Sequence, residues 1–92
     1  MAKVVFPETL RQMLGCSAVL VVDAVTVQEA ISELLRQYPA AKGLFMDESG
    51  IGRWGGIILY LNGVQIDVAR GGLDIEIFDG DELFILMPIS GG

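Results

Sequence analysis

The segment of residues 26–38 constrains the fold most strongly, because it carries the clearest secondary-structure signal in the chain. Thr26 is followed three positions later by Glu29, the spacing of a capping box, in which each side chain accepts a hydrogen bond from the other residue's amide. Pro39 disfavours helical geometry at the residue before it and so predicts where the helix ends. Between these signals, apolar residues recur at helical spacing at Val27, Ala30, Ile31, Leu34, Leu35 and Tyr38. The pattern predicts one amphipathic helix whose apolar face must be buried.

Short β-branched and apolar runs, typical of strands, precede this helix. Residues 3–6 form the first and stop at Pro7. Residues 18–22 form the second, and their lack of polar alternation predicts burial on both faces or a covered edge. A polar segment follows the first strand, with Gly15 and Ser17 marking its end, and no helix is predicted there.

Strand signals return after a less regular stretch at residues 40–56, which is predicted to be mainly an exposed loop. Asn62-Gly63 separates two apolar runs and favours a hairpin, since both residues tolerate the positive φ of a type I′ turn. Gly71-Gly72 breaks the chain, and residues 79–81 predict a tight turn before a last strand at residues 82–87. Pro88 cannot donate to a sheet ladder, so pairing is predicted to stop there.

The order strand, strand, helix, hairpin, strand predicts an α+β fold: a mixed sheet with the helix packed across one face, the β-grasp arrangement. A chain of 92 residues fits one domain, here residues 1–88, followed by a flexible tail at residues 89–92.

Composition excludes several classes of function. The twelve acids and six bases give a net charge of −6, which disfavours nucleic acid and anionic membranes and favours a basic protein partner. The chain has no histidine, so the commonest general base and metal ligand is absent. Its one cysteine, Cys16, cannot form an internal disulfide and is predicted to be a passive thiol. The apolar runs are too short for a signal peptide or membrane span, which predicts a cytoplasmic protein.

A set of motifs gives the sequence a specific resemblance. In chain order they are residues 10–15, the capped helix ending in Tyr38-Pro39, Leu59-Tyr60-Leu61-Asn62-Gly63, Gly71-Gly72-Leu73, Asp79-Gly80-Asp81-Glu82, Ile85-Leu86 and the final Gly91-Gly92. Together they resemble the sulfur carriers of the MoaD and ThiS type, which are relatives of ubiquitin.

The resemblance implies a role for the tail. In that family a ubiquitin-activator-like enzyme consumes ATP to adenylate the terminal carboxylate, and sulfide from a sulfurtransferase converts it to a thiocarboxylate that supplies a downstream sulfur-accepting enzyme. The matching positions here are Gly92 as the attachment point, with Ser90 and Gly91 as the tail. The chain itself would bind no cofactor and would not be an enzyme.

Strand alternation predicts where such partners dock. If Leu59, Leu83 and Ile85 face the helix, their neighbours face outward. The expected docking residues are Ile58, Tyr60, Phe84 and Leu86, continuing to Met87 and Ile89.

Three other functions remain open at this stage. They are a ubiquitin-like protein modifier joined to target lysines through Gly92, the small subunit of a molybdopterin-synthase-like complex, and a β-grasp binding module with an inert tail. The sequence leaves the pathway open among the molybdenum or tungsten cofactor (molybdopterin), thiamine, cysteine, thiolated tRNA and a secondary metabolite.

Overall fold

A computed structural model describes residues 1–15, 17–45 and 57–86. Its strands form one mixed sheet in the order β2-β1-β5-β3-β4, in which β1 and β5 are parallel and the other pairs are antiparallel. The strands are β1 (Ala2–Val5), β2 (Val19–Val22), β3 (Ile58–Leu61), β4 (Val64–Ile66) and β5 (Glu82–Leu86). The helices are α1 (Glu8–Leu14), α2 (Val27–Gln37) and α3 (Lys42–Phe45), with short 3-10 turns at Pro39–Ala41, Val68–Arg70 and Gly72–Asp74. The predicted β-grasp fold is confirmed.

The predicted central helix is confirmed as α2. The Thr26 hydroxyl accepts a hydrogen bond from the Glu29 amide at 3.2 Å, so half of the capping box is present. The return bond from the Thr26 amide to the Glu29 carboxylate is not formed between these two described residues. Instead, the segment before the helix pairs with the chain before β5: the Val27 amide donates to the Ile75 carbonyl at 3.0 Å. This pairing joins the start of α2 to the segment that leads into β5.

Apolar side chains from α1, α2 and one face of the sheet form the core. In the described part of the chain its members are Ala2, Val4, Phe6, Leu10, Val22, Val27, Ala30, Ile31, Leu34, Ala41, Ile57, Leu59, Ile66, Ile77, Leu83 and Ile85. No polar or charged residue is fully buried among the described residues, so nearly all of the burial there is apolar. None of the helices in those ranges is long and apolar enough to cross a membrane.

A helix that the sequence did not predict, Glu8–Leu14, lies between the first two strands. Leu10 is fully buried, and Leu14, one turn later, packs against the core. Gly15 ends the helix at φ 65°, a left-handed conformation that suits glycine, and donates its amide to the Arg11 carbonyl at 2.8 Å. The apolar stripe of α1 is only one turn long, too short to stand out as a periodic pattern.

Of the two alternatives predicted for the second strand, burial of both faces is wrong, and no strand of the described residues covers its edge. β2 lies at an edge of the sheet, and Val19 and Val21 on its outer face are 40% and 52% exposed. Val22, on the inner face, is buried. The absence of polar alternation therefore reflects an apolar outer face rather than a second covering layer.

The hairpin prediction is confirmed, with Asn62 at φ 52° and Gly63 at φ 85° between β3 and β4. The last strand ends at Leu86 within the described range, and its predicted final residue, Met87, lies outside that range. Of the stretch at residues 40–56, predicted to be mainly an exposed loop, the part up to residue 45 is helical instead, and residues 46–56 lie outside the described range, as do Cys16 and the tail at residues 89–92.

Candidate functional site

The four outward side chains predicted on β3 and β5 form two cross-strand pairs. Ile58 lies opposite Leu86, and Tyr60 lies opposite Phe84. Phe84 is 37% exposed, and the other three are half-buried. Directly opposed side chains on one face of an antiparallel pair lie about 5 Å apart at Cβ, so the four form one continuous apolar surface.

The orientation of these residues follows from what their neighbours bury. Leu59 on β3 and both Leu83 and Ile85 on β5 are at most 1% exposed. Because successive side chains of a strand point to opposite faces, burying these residues under the helices turns the alternate ones outward. The structure therefore places Ile58, Tyr60, Phe84 and Leu86 on the face predicted for them.

Sequence reasoning missed two further members of this surface. Val5 on β1 lies beside Phe84 through the parallel β1–β5 pairing, and Val19 on β2 lies opposite Val5. Val19, Val5, Phe84 and Tyr60 thus form one row across four adjacent strands. Alternation within the first strand signals that Val5 faces outward, but only the parallel pairing of the first and last strands places it beside Phe84. The six residues Val5, Val19, Ile58, Tyr60, Phe84 and Leu86 are called the outer patch below.

The outer patch includes the last described residue before the predicted reactive tail, because Leu86 is both a patch residue and the end of β5. The tail residues Ser90, Gly91 and Gly92 and the predicted docking residues Met87 and Ile89 lie outside the described residues. Gly92 is six positions after Leu86 in the sequence (92 − 86), a length that spans at most about 20 Å when fully extended. A partner seated on the outer patch would therefore need its reaction centre within that distance of Leu86.

A hydrogen-bonded clamp fixes the start of β5. The Asn62 amide group donates to the Asp81 carboxylate at 3.0 Å, while the Asn62 side-chain oxygen accepts from the Glu82 amide at 2.9 Å. The Phe78 amide donates to the other Asp81 oxygen at 2.8 Å. These bonds, the one from Phe78 first and the one from Asn62 second, lower the pKa of Asp81 below its usual value.

The clamp gives Asp81 a structural role. The residue is half-buried, and its carboxylate joins the β3–β4 turn to the turn before β5. The Asn62-Gly63 and Asp79-Gly80-Asp81-Glu82 motifs are therefore joined by hydrogen bonds. These bonds hold β5, the strand before the tail, in register. In the described ranges no group of three or more His, Cys, Asp or Glu residues is arranged to hold a metal ion.

Comparison with known proteins now decides the family. The family model described as the ThiS family matches residues 4–92, nearly the whole chain including Gly91-Gly92. The chain belongs to the ThiS family. It is thus a ubiquitin-like protein of the sulfur-carrier or modifier type, and the resemblance noted from its motifs is confirmed.

Solved structures agree with membership of the ThiS family. The solution structure of small archaeal modifier protein 1 (SAMP1) from Methanosarcina acetivorans has 30% identity and a TM-score of 0.83, covering 99% of this chain and 95% of that one. CysO, in the Amycolatopsis orientalis BexX/CysO complex, has 30% identity and a TM-score of 0.77, with 100% of both chains covered. SAMP1 from Haloferax volcanii has 26% identity and a TM-score of 0.81, covering 99% and 98%. No curated protein matches at a significant level.

Proposed function

We propose that this ThiS-family protein is a sulfur carrier whose Gly92 carboxylate is adenylated and then converted to a thiocarboxylate that donates sulfur in a biosynthetic pathway. The observation that carries the proposal is the family match through residue 92, so that Gly91-Gly92 falls within the matched region, a few residues after β5, the strand that carries Phe84 and Leu86 of the outer patch. The protein acts as a co-substrate of its partner enzymes rather than as an enzyme.

The proposed chemistry needs no catalytic side chain on this chain. A Gly92 carboxylate oxygen attacks the α-phosphorus of ATP and releases pyrophosphate, leaving an acyl adenylate. Hydrosulfide then attacks the acyl carbon, AMP leaves, and the thiocarboxylate forms as a proton is released. The product is an anionic sulfur nucleophile near neutral pH, which fits a chain with no histidine to act as its base.

Glycine suits both of these steps. Gly91 and Gly92 lack Cβ, so the tail can enter a narrow channel and adopt backbone angles closed to other residues. No side chain then crowds the Gly92 carbonyl where ATP and hydrosulfide must approach.

The outer patch is the proposed docking surface for the adenylating enzyme. It is apolar and continuous across four strands, and Leu86 at its border begins the path to Gly92. The net charge of −6 favours an enzyme face that is basic around an apolar centre, and this attraction would speed association at low salt.

Intact-mass spectrometry after co-expression with the adenylating enzyme and a sulfur source tests the proposal. The expected result is a mass shift equal to exchange of one oxygen for sulfur, located on the fragment that contains Ser90-Gly91-Gly92. Deleting Gly92 should abolish the shift and ATP–pyrophosphate exchange without unfolding the protein, whereas Cys16→Ser, the matched control for the other possible sulfur site, should keep both. A shift that persists without Gly92 would show that another group carries the sulfur.

A second function, conjugation to target lysines, is favoured by the two relatives described as small archaeal modifier proteins, at 30% and 26% identity. Both functions begin with the same adenylate, so the structure of the domain does not separate them. Lysine-linked adducts that depend on Gly92, found without any thiocarboxylate, would favour the modifier. An unmodified tail under all these conditions would leave a plain binding module.

A further inference from the structure

The β2 edge of the sheet carries unused hydrogen-bonding groups. Within the described residues, β2 pairs with β1 on one side and with no strand on the other. The strand reads Val-Leu-Val-Val and has neither the charged side chain nor the proline with which native proteins commonly block an edge strand. It is therefore open to pairing with another extended segment.

The hydrogen bonds of β1 reveal which residues of β2 direct their backbone N–H and C=O groups to the free edge of the sheet. Phe6 donates its amide to Ala18 at 2.9 Å, whereas Lys3 turns its amide the other way, to Asp81 next to β5. Because bonding direction alternates along a strand, Val19 and Val21 direct their N–H and C=O groups to the free edge. The Val19 carbonyl accepts from the Ser17 hydroxyl at 3.2 Å. In the described ranges the Val19 amide and the backbone N–H and C=O groups of Val21 have no hydrogen-bond partner.

The side chains on this edge define what would fit there. Val19 and Val21 are exposed on the outer face, and the exposed Asp23 directly follows Val22, the last residue of β2. A strand added at the edge would place its own alternate side chains opposite these three. Aliphatic residues suit the two valines, and a lysine or arginine suits Asp23.

We propose that the β2 edge binds an extended segment of a partner protein by strand addition, with two aliphatic side chains opposite Val19 and Val21 and one basic side chain opposite Asp23. Main-chain hydrogen bonds hold the added strand, and the alternate side chains select it. Val19 also belongs to the outer patch, so the added strand widens that surface by one strand. The proposal does not depend on the chemistry of Gly92.

Charge favours a partner segment over a second copy of the chain. Each copy carries −6, so two copies repel one another. Pairing two β2 strands also supplies only valine, leucine and aspartate to the edge, and none of these neutralises Asp23. A basic segment satisfies the backbone, the valines and the carboxylate together.

Titration of the ¹⁵N-labelled protein with a capped peptide reading Thr-Val-Thr-Val-Thr-Lys-Thr tests the proposal, and the reversed peptide tests the opposite strand direction. One of the two should shift the amide signals of Val19, Val21 and Asp23 saturably and slow hydrogen exchange at Val21. Replacing the peptide lysine by glutamate should weaken binding about fivefold, as expected for one exposed ion pair. N-methylating the alternate peptide amides that face β2 should abolish binding.

Two variants of the protein separate the edge from the fold. Val21→Pro removes an outward amide that makes no bond to β1, so the protein should stay folded and lose peptide binding. If that variant fails to fold, Val21→Lys keeps the amide but places a charge on the edge, and it should also lose binding, whereas Val21→Thr should retain it. Equal binding of the N-methylated peptide, or shifts centred on Val64–Ile66 at the other edge, would overturn the proposal. So would concentration-dependent shifts of Val19 and Val21 without peptide, which would identify the occupant as a second copy.

Discussion

The two faces of the sheet are built from alternate residues of the same strands and differ in what covers them. On the inner face, under α1 and α2, Leu59, Leu83 and Ile85 are almost completely buried. On the outer face, Phe84 and Val19 remain more than a third exposed. The inner positions therefore contribute to stability, whereas the neighbouring outer positions carry the proposed docking surface. The same substitution at adjacent positions of one strand should then have different effects.

The largest expected effect tests this division directly on β5. Leu83→Asp would bury an unpaired carboxylate and cost about 3–5 kcal/mol, a large part of the 5–15 kcal/mol typical of a domain. Phe84→Asp leaves its carboxylate in water and should cost at most about 1 kcal/mol, yet it should weaken docking to the adenylating enzyme. Urea denaturation and a binding assay measure the two effects. A large loss of stability in Phe84→Asp would mean that the outer face is covered within the folded chain.

A second pair of variants tests whether α1, like α2, contributes side-chain packing to the core on the inner face of the sheet. Leu10→Ala removes a fully buried side chain and should destabilise the protein by about 2–5 kcal/mol, depending on how far the cavity collapses. Met13→Ala on the same helix is the matched control, because Met13 is mostly exposed and should cost no more than about 0.5 kcal/mol. Equal losses in urea denaturation would show that α1 contributes helical structure but no core packing.

These two helices also show how far the sequence predicts the inner face. α2 was predictable because its cap and apolar stripe are local and its end is marked by Pro39. α1 was missed because its apolar stripe, Leu10 and Leu14, is only one turn long. The helix is stabilised by packing these residues into a core that elements distant in sequence complete.

The outer face was predictable only strand by strand. Alternation correctly orients Tyr60 and Phe84, but the row that joins them to Val5 and Val19 depends on pairing across the sheet. Val5 and Phe84 are 79 positions apart in the chain (84 − 5), and no local pattern encodes that pairing. The reactive tail was inferred from family motifs, and it stays a prediction because the residues concerned lie outside the described part.

An intermediate effect is expected at Gly71-Gly72, where the 3-10 turn Gly72–Asp74 begins; this turn packs against α2. A Cβ added at Gly72 would lie 2.1 Å from the Ile66 methyl carbon Cγ2 and 2.7 Å from the Asp67 carbonyl oxygen. Gly72→Ala should therefore cost about 1–3 kcal/mol through overpacking. Gly71 has open space around it but a φ of 84°, so Gly71→Ala should cost about 1 kcal/mol from backbone strain alone.

Thermal denaturation of the two alanine variants measures the difference. A lower melting temperature for Gly72→Ala than for Gly71→Ala is the expected order. The reverse order would mean that the turn relaxes around the new methyl group. Packing on the inner face would then be less tight at Gly72 than around Leu83.

The smallest expected effect concerns Asp81, whose clamp belongs to neither face and holds the start of β5 for both. Its pKa is lowered below the ordinary 3.8 by the Phe78 amide and then by Asn62, so the ionised form is bound more tightly in the folded state than in the unfolded one. The resulting stabilisation is fully present above about pH 3.8 and is lost as the pH falls through the lower folded-state pKa. Asp81→Asn should therefore be slightly less stable than the parent protein at neutral pH, and the gap should narrow below pH 3.8. Urea denaturation of both proteins from neutral pH down to strong acid measures the gap, with Asp74→Asn as a control for the removal of an exposed carboxylate. A gap that stays constant with pH would assign the role of Asp81 to the shape of its side chain rather than to its charge.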